Sequence, residues 1–442
     1  MHDRELDRRS VERRAVESAI WGMPLVSVDA MRQAFLRDAG GRYDDIVYLS
    51  KQADWKFQVT TPNASSWYAY IPLNTAGGPV VLEIPPAEGA GLFGSLNDAW
   101  QVPAADVGPA GSDGGRGGRY VVLPPGWSES VPADCFVVPL PTFNGYSLLR
   151  VIPRTTAPDD VARALALVRK VRAYRLADAA DPPLQRFVDM AGKPFEGIAR
   201  FDDTFFDSLA RMVQEEPLAQ HDLVAMALLR SIGIEKGRPF QPDAGLREIL
   251  RGAAIEAHAD FIAGLRALPA YWSARQWTLP ARPVGAETGF TFMTGQLLDI
   301  DARGELFYFG CAPARRPGAA TFYLSSCADA GGAPLQGGRK YRLRVPPDVP
   351  AQQFWAVTVY ELETCAFVRG AERIELNSYD EGVARNADGS VDVTFAPRPP
   401  AGGKSNWVAT PGEKPWVAMF RLYGPGASLF DKSWSLADIE AL

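Results

Sequence analysis

The 442-residue chain changes texture twice, and those changes constrain its fold more than any single motif does. From Tyr43 to Pro153 it breaks into short β-branched and aromatic runs with Gly and Pro between them: IVYL at 46–49, WYAYIPL at 67–73, PVVLEIP at 79–85, RYVVLPP at 119–125, CFVVPL at 135–140 and YSLLRVIP at 146–153. Such runs, set off by turn formers, predict a β-sandwich. The punctuation then thins. VARALALVRKVRAYRLAD at 161–178, a stretch from Asp202 or Asp203 to Pro217, HDLVAMALLRSIG at 221–233 and DAGLREILRGAAIEAHADFIAGLRAL at 243–268 carry apolar residues at helical spacing. After TLPARPVG at 278–285 the short runs return as ELFYFG, TFYLSS, KYRLRVPP, FWAVTVYE, RIELNSYD, SVDVTFAP and WVAMFRLYGP, which predict a second antiparallel sandwich of jelly-roll type.

The opening residues 8–38 place Val11, Ala15, Ala19, Leu25, Val28 and Phe35 near helical spacing, with Pro24 interrupting them, so two short helices or one kinked helix are expected. The expected organisation is therefore a mainly β chain with a helical middle. Its parts are a helical segment at 1–42, a sandwich at 43–156, a small all-α domain at 157–284 and a jelly roll at 285–442. GPAGSDGGRGG at 108–118 is expected to be a flexible surface loop on composition alone.

Charge and rare residues narrow the chemistry. Lys and Arg number 46 against 52 Asp and Glu, a net charge of −6, which offers no basic excess to neutralise nucleic-acid phosphates. No apolar run approaches the ~18 residues of a membrane span. The N-terminus is charged through Glu17 and meets Pro24 without a secretory apolar core, so a cytoplasmic protein is expected. The 4 Cys lie far apart without a C-x-x-C pair, and only 3 His are present, with no H-x-x-x-H. No metal site and no cofactor are expected, since zinc motifs, G-x-S-x-G and phosphate-cradling loops are all missing.

What remains is a vocabulary of aromatics, amides, carboxylates and arginine. PNASSWYAY offers Asn63, Trp67 and Tyr68; LNDAW offers Asn97, Asp98 and Trp100; SNW offers Asn406 and Trp407; FRLYGP offers Arg421 and Tyr423. Ring faces stack on an organic ligand while amides and a fixed cation orient it, so Asn63, Trp67, Asn97, Trp100, Asn406 and Trp407 are the candidate substrate-binding residues. Asp98, Tyr68, Tyr423 and Arg421 are the candidate catalytic residues, because a carboxylate or phenol of shifted pKa performs acid–base chemistry without a metal. The same aromatics equally suit sandwich cores. Strand alternation sends Trp67 and Ala69 to one face and Tyr68 and Tyr70 to the other. A mid-strand arginine such as Arg421 calls for a partner, either a ligand or a structural ion pair.

The strings GRKYRLRVPPDVPAQQFWAVTVYELETCAFV, LNSYD, NADGSVDVTF, SNWVATPG and MFRLYGPGASLFDKSW resemble the bacterial proteins that pair domain of unknown function 1254 with domain of unknown function 1214. PFEGIARFDDTFFDSLARMVQEEP, PNASSWYAYIPLN and RYVVLPPGW carry the likeness through the middle and N-terminal parts. The resemblance implies an immunoglobulin- or prealbumin-like N-terminal sandwich, a helical region and a C-terminal jelly roll. Many relatives read Pro-Asn-x-Asp-Thr-x-Tyr where this chain has Ser65 at the acidic position.

Three functional readings follow. The first is a metal-independent hydrolase, lyase or isomerase acting on a small organic metabolite in an interdomain cleft. The second is a non-catalytic binder of a carbohydrate or envelope ligand, and the third is a homo-oligomer built through sandwich faces.

Overall fold

The computed structural model describes residues 2–155, 157–282, 288–311, 313, 315, 321–401 and 403–442. Helices and strands take nearly equal shares of the chain, in several sheets. The opening segment is one helix, α1 (His2–Arg37), with Pro24 inside it. Residues 18–29 are buried on every side, so this is a central helix held by its surroundings. Proline supplies no N–H for the carbonyl four residues back. Around that gap Arg303 Nη2 donates to the Trp21 carbonyl at 3.2 Å, and a Cβ added at Gly304 would lie 3.1 Å from the Ile20 oxygen.

The N-terminal β region comprises β1 (Ile46–Tyr48), β2 (Phe57–Gln58), β3 (Trp67–Asn74), β4 (Val80–Ile84), β5 (Ala90–Asp98), β6 (Pro103–Val107), β7 (Gly118–Leu123), β8 (Phe136–Pro139) and β9 (Asn144–Pro153). All the runs expected between Tyr43 and Pro153 form strands. β5 and β6 carry fewer β-branched residues and escaped the pattern. The 108–118 loop is tied from within, because the buried Asp113 carboxylate accepts the N–H groups of Gly108 at 2.7 Å and Gly117 at 3.1 Å.

The middle departs from an all-helical expectation. The helix foreseen over 161–178 is only α2 (Pro158–Val168), and residues 172–175 form β10 (Arg172–Arg175), which pairs antiparallel with β4. β11 (Phe187–Asp189) and β12 (Phe195–Glu196) then add parallel to β1 and β2. An open sheet edge outweighed local propensity there, since Arg-Ala-Tyr-Arg has a weak preference of its own. Helices α3 (Phe205–Glu215), α4 (Leu223–Ser231) and α5 (Ala244–Arg266) follow and pack on α1. The boundaries expected at 156 and at 284/285 fall outside the described residues.

ELFYFG is a second correction. It lies in α6 (Ile300–Phe309), not in a strand, with the Asp299 side chain accepting the Ala302 N–H at 3.0 Å as the N-cap. A short, largely apolar run has no periodicity to separate helix from strand, and here contact with α1 and α5 decides.

The C-terminal strands are β13 (Thr321–Ser326), β14 (Tyr341–Val345), β15 (Trp355–Glu361), β16 (Glu375–Asn377), β17 (Val391–Ala396), β18 (Trp407–Ala409), β19 (Trp416–Tyr423) and β20 (Glu440–Ala441), with α7 (Ala427–Phe430) after β19. Sheet orders are β11-β1-β3-β9-β5-β6 and β10-β4-β7-β8 in the N-terminal part, and β13-β19-β15-β16 and β18-β17-β14-β20 in the C-terminal part. Trp67, Ala69 and Ile71 fill the N-terminal inter-sheet core, while Tyr68 and Tyr70 belong to the larger core shared with α1 and the C-terminal sheets. The long sheet is thus buried on both faces, and its second face looks toward the C-terminal half.

Candidate functional site

A cavity of about 720 Å³ opens between that second face, α6 and the β13-β19 side of the C-terminal sheet. Phe57, Val59, Phe93, Leu148, Phe307, Phe309 and Met419 make much of its wall apolar. Two cross-strand pairs supply polar groups. On β3 and β9, Tyr68 stands opposite Arg150; on β13 and β19, Tyr323 stands opposite Arg421. Directly opposed residues of antiparallel strands share a face, and all four line the cavity. The guanidinium carbon lies 6.0 Å from the Tyr68 ring centre in the first pair and 5.1 Å from the Tyr323 ring centre in the second.

Arg421 is 1% exposed. Its Nη1 donates to Thr358 Oγ1 at 2.7 Å, and its Nη2 donates to Tyr360 Oη at 2.5 Å and to the Thr61 carbonyl at 3.1 Å. The Thr358 hydroxyl in turn donates to Glu375 at 2.6 Å. Burial pushes the Glu375 carboxyl above the usual carboxylate range, against the pull of Arg421 and Thr358. The 61–63 segment is clamped over this network. Tyr360 Oη donates to the Pro62 carbonyl at 2.6 Å, Asn63 N–H donates to Tyr68 Oη at 3.0 Å, and the Asn63 amide donates to Tyr423 Oη. Ser65 caps Asn63 Oδ1 through both its N–H at 2.8 Å and its hydroxyl at 2.7 Å. Burial raises the Tyr68 phenol despite the nearby Arg150 and Arg421, so it stays protonated.

Of the expected site residues, the fold brings Asn63, Tyr68 and Arg421 to the cavity wall, with Tyr423 directly behind, stacked on Phe354 at 4.0 Å between ring centres. The others lie elsewhere. Trp67 points into the N-terminal core. Trp407 is in the C-terminal core, its indole N–H donating to the Ala396 carbonyl at 2.9 Å. Asn406 braces a loop through both Ala384 backbone groups, at 3.0 and 2.7 Å. Asn97 turns back toward Ser95.

Asp98 and Trp100 form a separate cluster with Arg303 and Trp21, where α1 and α6 meet the end of β5. The Arg303 guanidinium lies 4.3 Å from the Trp100 ring centre, and Trp21 meets Trp100 edge-on at 5.0 Å. The Asp98 carboxylate accepts the N–H groups of Trp100 and Val102 at 2.8 and 2.9 Å. Burial nonetheless pushes its pKa up to about 7, and burial also pulls Arg303 down to about 10.

Arg150 and Tyr323 were not anticipated. Their signal was present, since YSLLRVIP holds a cation between apolar neighbours in mid-strand just as FRLYGP does. Among the described residues no group of three or more His, Cys, Asp or Glu could hold a metal ion, and no helix is long and apolar enough to cross a membrane.

Residues 44–175 match the family model described as a protein of unknown function, DUF1254, and residues 320–427 match another so described, DUF1214. The chain belongs to the proteins that pair these two domains. Tyr68 and Arg150 of the cavity come from the DUF1254 domain, and Tyr323 and Arg421 from the DUF1214 domain. The crystal structure of the VPA0106 protein from Vibrio parahaemolyticus shares the fold, with a TM-score of 0.54 at 17% identity over 97% of this chain and 100% of that one. A putative uncharacterized protein from Burkholderia cenocepacia aligns at 15% identity and a TM-score of 0.39, over 99% of this chain and 95% of that one. No curated protein matches the chain.

Proposed function

We propose that this protein captures a small organic metabolite in the cavity between its DUF1254 and DUF1214 domains. The observation that carries the reading is the cavity itself: about 720 Å³, largely apolar, with a few fixed polar groups converging from both domains. That is the usual make-up of a small-molecule site. The apolar wall disfavours a carbohydrate, whose hydroxyls would lose their hydrogen bonds there. The paired sheets support reading the two units as an immunoglobulin- or prealbumin-like sandwich and a jelly roll.

Capture is favoured over turnover because acid–base catalysis needs a base that titrates near working pH. In the wall, burial raises the Tyr68 phenol and the Cys311 thiol, and Asp106 is engaged by the Arg315 N–H at 2.7 Å. Asp98, whose pKa would suit the task, lies outside. The metal-independent enzyme remains as a second reading on one observation: the protonated Tyr68 beside Arg150 could serve as an acid next to a cation that stabilises a developing oxyanion.

Native mass spectrometry of protein purified from its own cells tests capture. A bound small molecule is expected, and Met419→Trp, which fills the cavity, should release it. Absence of any bound species, together with a melting temperature that no metabolite library member shifts, would overturn the reading. Loss of turnover in Tyr68→Phe with binding retained would favour the enzyme.

A further inference from the structure

The charges in the cavity wall do not cancel. Its charged side chains among the described residues are Arg150, Arg154, Arg421 and Asp106. Asp106 already accepts the Arg315 backbone N–H. Arg421, almost wholly buried, donates only to neutral groups, the hydroxyls of Thr358 and Tyr360 and the Thr61 carbonyl. Arg150 faces the Tyr68 ring, and among the described residues the Nε groups of both arginines are buried without a partner. Arg32 in α1 shows the contrast, being paired with Asp29 at 2.6 Å and with Glu215 as well. Glu375 reaches Arg421 only through the Thr358 hydroxyl, and burial holds its carboxyl above the usual range; a guanidinium that meets no carboxylate directly keeps its fork of donors for an oxyanion. Tyr68 stands opposite Arg150 across β3 and β9, and both arginines line the same cavity, one from each domain.

We propose that the cavity takes an organic oxyanion, its charged head seated between Arg150 and Arg421 and its apolar body lying against Phe93, Phe307, Phe309 and Met419. This names the ligand class of the site described above and rests on that reading. Because one cation comes from each domain, the bound head joins the two halves of the molecule through charge-assisted hydrogen bonds.

Calorimetric titration of the full chain at neutral pH with decanoate, decyl phosphate, decanamide and decanol tests it. At least one of the two oxyanions should bind roughly tenfold or more tightly than either neutral probe, and which of the two does so separates carboxylate from phosphate heads. Arg150→Met should reduce the oxyanion to the affinity of the neutral probes. Arg421→Gln should lose the same preference. If that variant fails to fold, Arg150→Met alone carries the test. Neutral probes binding as tightly as both oxyanions would overturn the oxyanion assignment while leaving the small-molecule cavity standing. Failure of every probe to bind would sink both.

Discussion

Arg150 and Arg421 occupy the same kind of position, a cation between apolar neighbours in the middle of a strand. One was singled out from sequence and the other was not, although the local pattern is equal. Only cross-strand register shows that each faces a tyrosine, and that the two pairs look into one space. Asp98 shows the converse: its residue type suggested acid–base work, yet its carboxylate organises the turn after β5. Its environment still has a measurable effect. Folding raises its pKa from an unfolded value near 3.9 to about 7, so the native state holds a proton that the unfolded state has released. Stability should therefore fall as pH rises from about 4 to about 7. In urea unfolding series across that range, Asp98→Asn should flatten the slope, with a difference from the parent on the order of a few kcal/mol at the upper end. An unchanged slope would show that Asp98 is ordinary in the folded state.

At the scale of elements, strand runs in the two β regions were largely legible because β-branched and aromatic residues stood between turn formers. The failures have a common cause. ELFYFG and residues 172–175 are short, and what they became depended on which neighbour needed covering: α6 closes over α1, and β10 completes a sheet beside β4. Pro24 left two short helices or one kinked helix open, and a single helix runs through it, held by its packing. The close approach at Gly304 makes that dependence testable. Gly304→Val would drive a branched side chain against the Ile20 carbonyl and the Met23 side chain, and a loss of roughly 2–3 kcal/mol in denaturant unfolding is expected. A variant as stable as its parent would mean that α6 shifts freely along α1.

For the whole molecule, the placement of the cavity predicts how binding is felt. A ligand held by both domains stabilises the folded state by about 2.7 kcal/mol at a hundred times its dissociation constant. Hydrogen exchange in the presence of decanoate or decyl phosphate, whichever binds, should slow in β3 and β9 and also in β13 and β19. Protection confined to one domain would contradict a shared site. The sequence by itself determined most strand runs of the two β regions, a middle rich in helix, and the pairing of the two domains. Hydrophobic periodicity, turn residues and composition are local properties, which a linear chain displays directly. Tertiary structure alone decided which residues meet. The cavity joins Asn63, Tyr68, Arg150, Tyr323 and Arg421 across hundreds of positions, and it sent Trp67, Asp98, Asn406 and Trp407 to other work. Convergence of that kind follows from sheet register and the packing of one domain on another, which no local pattern encodes.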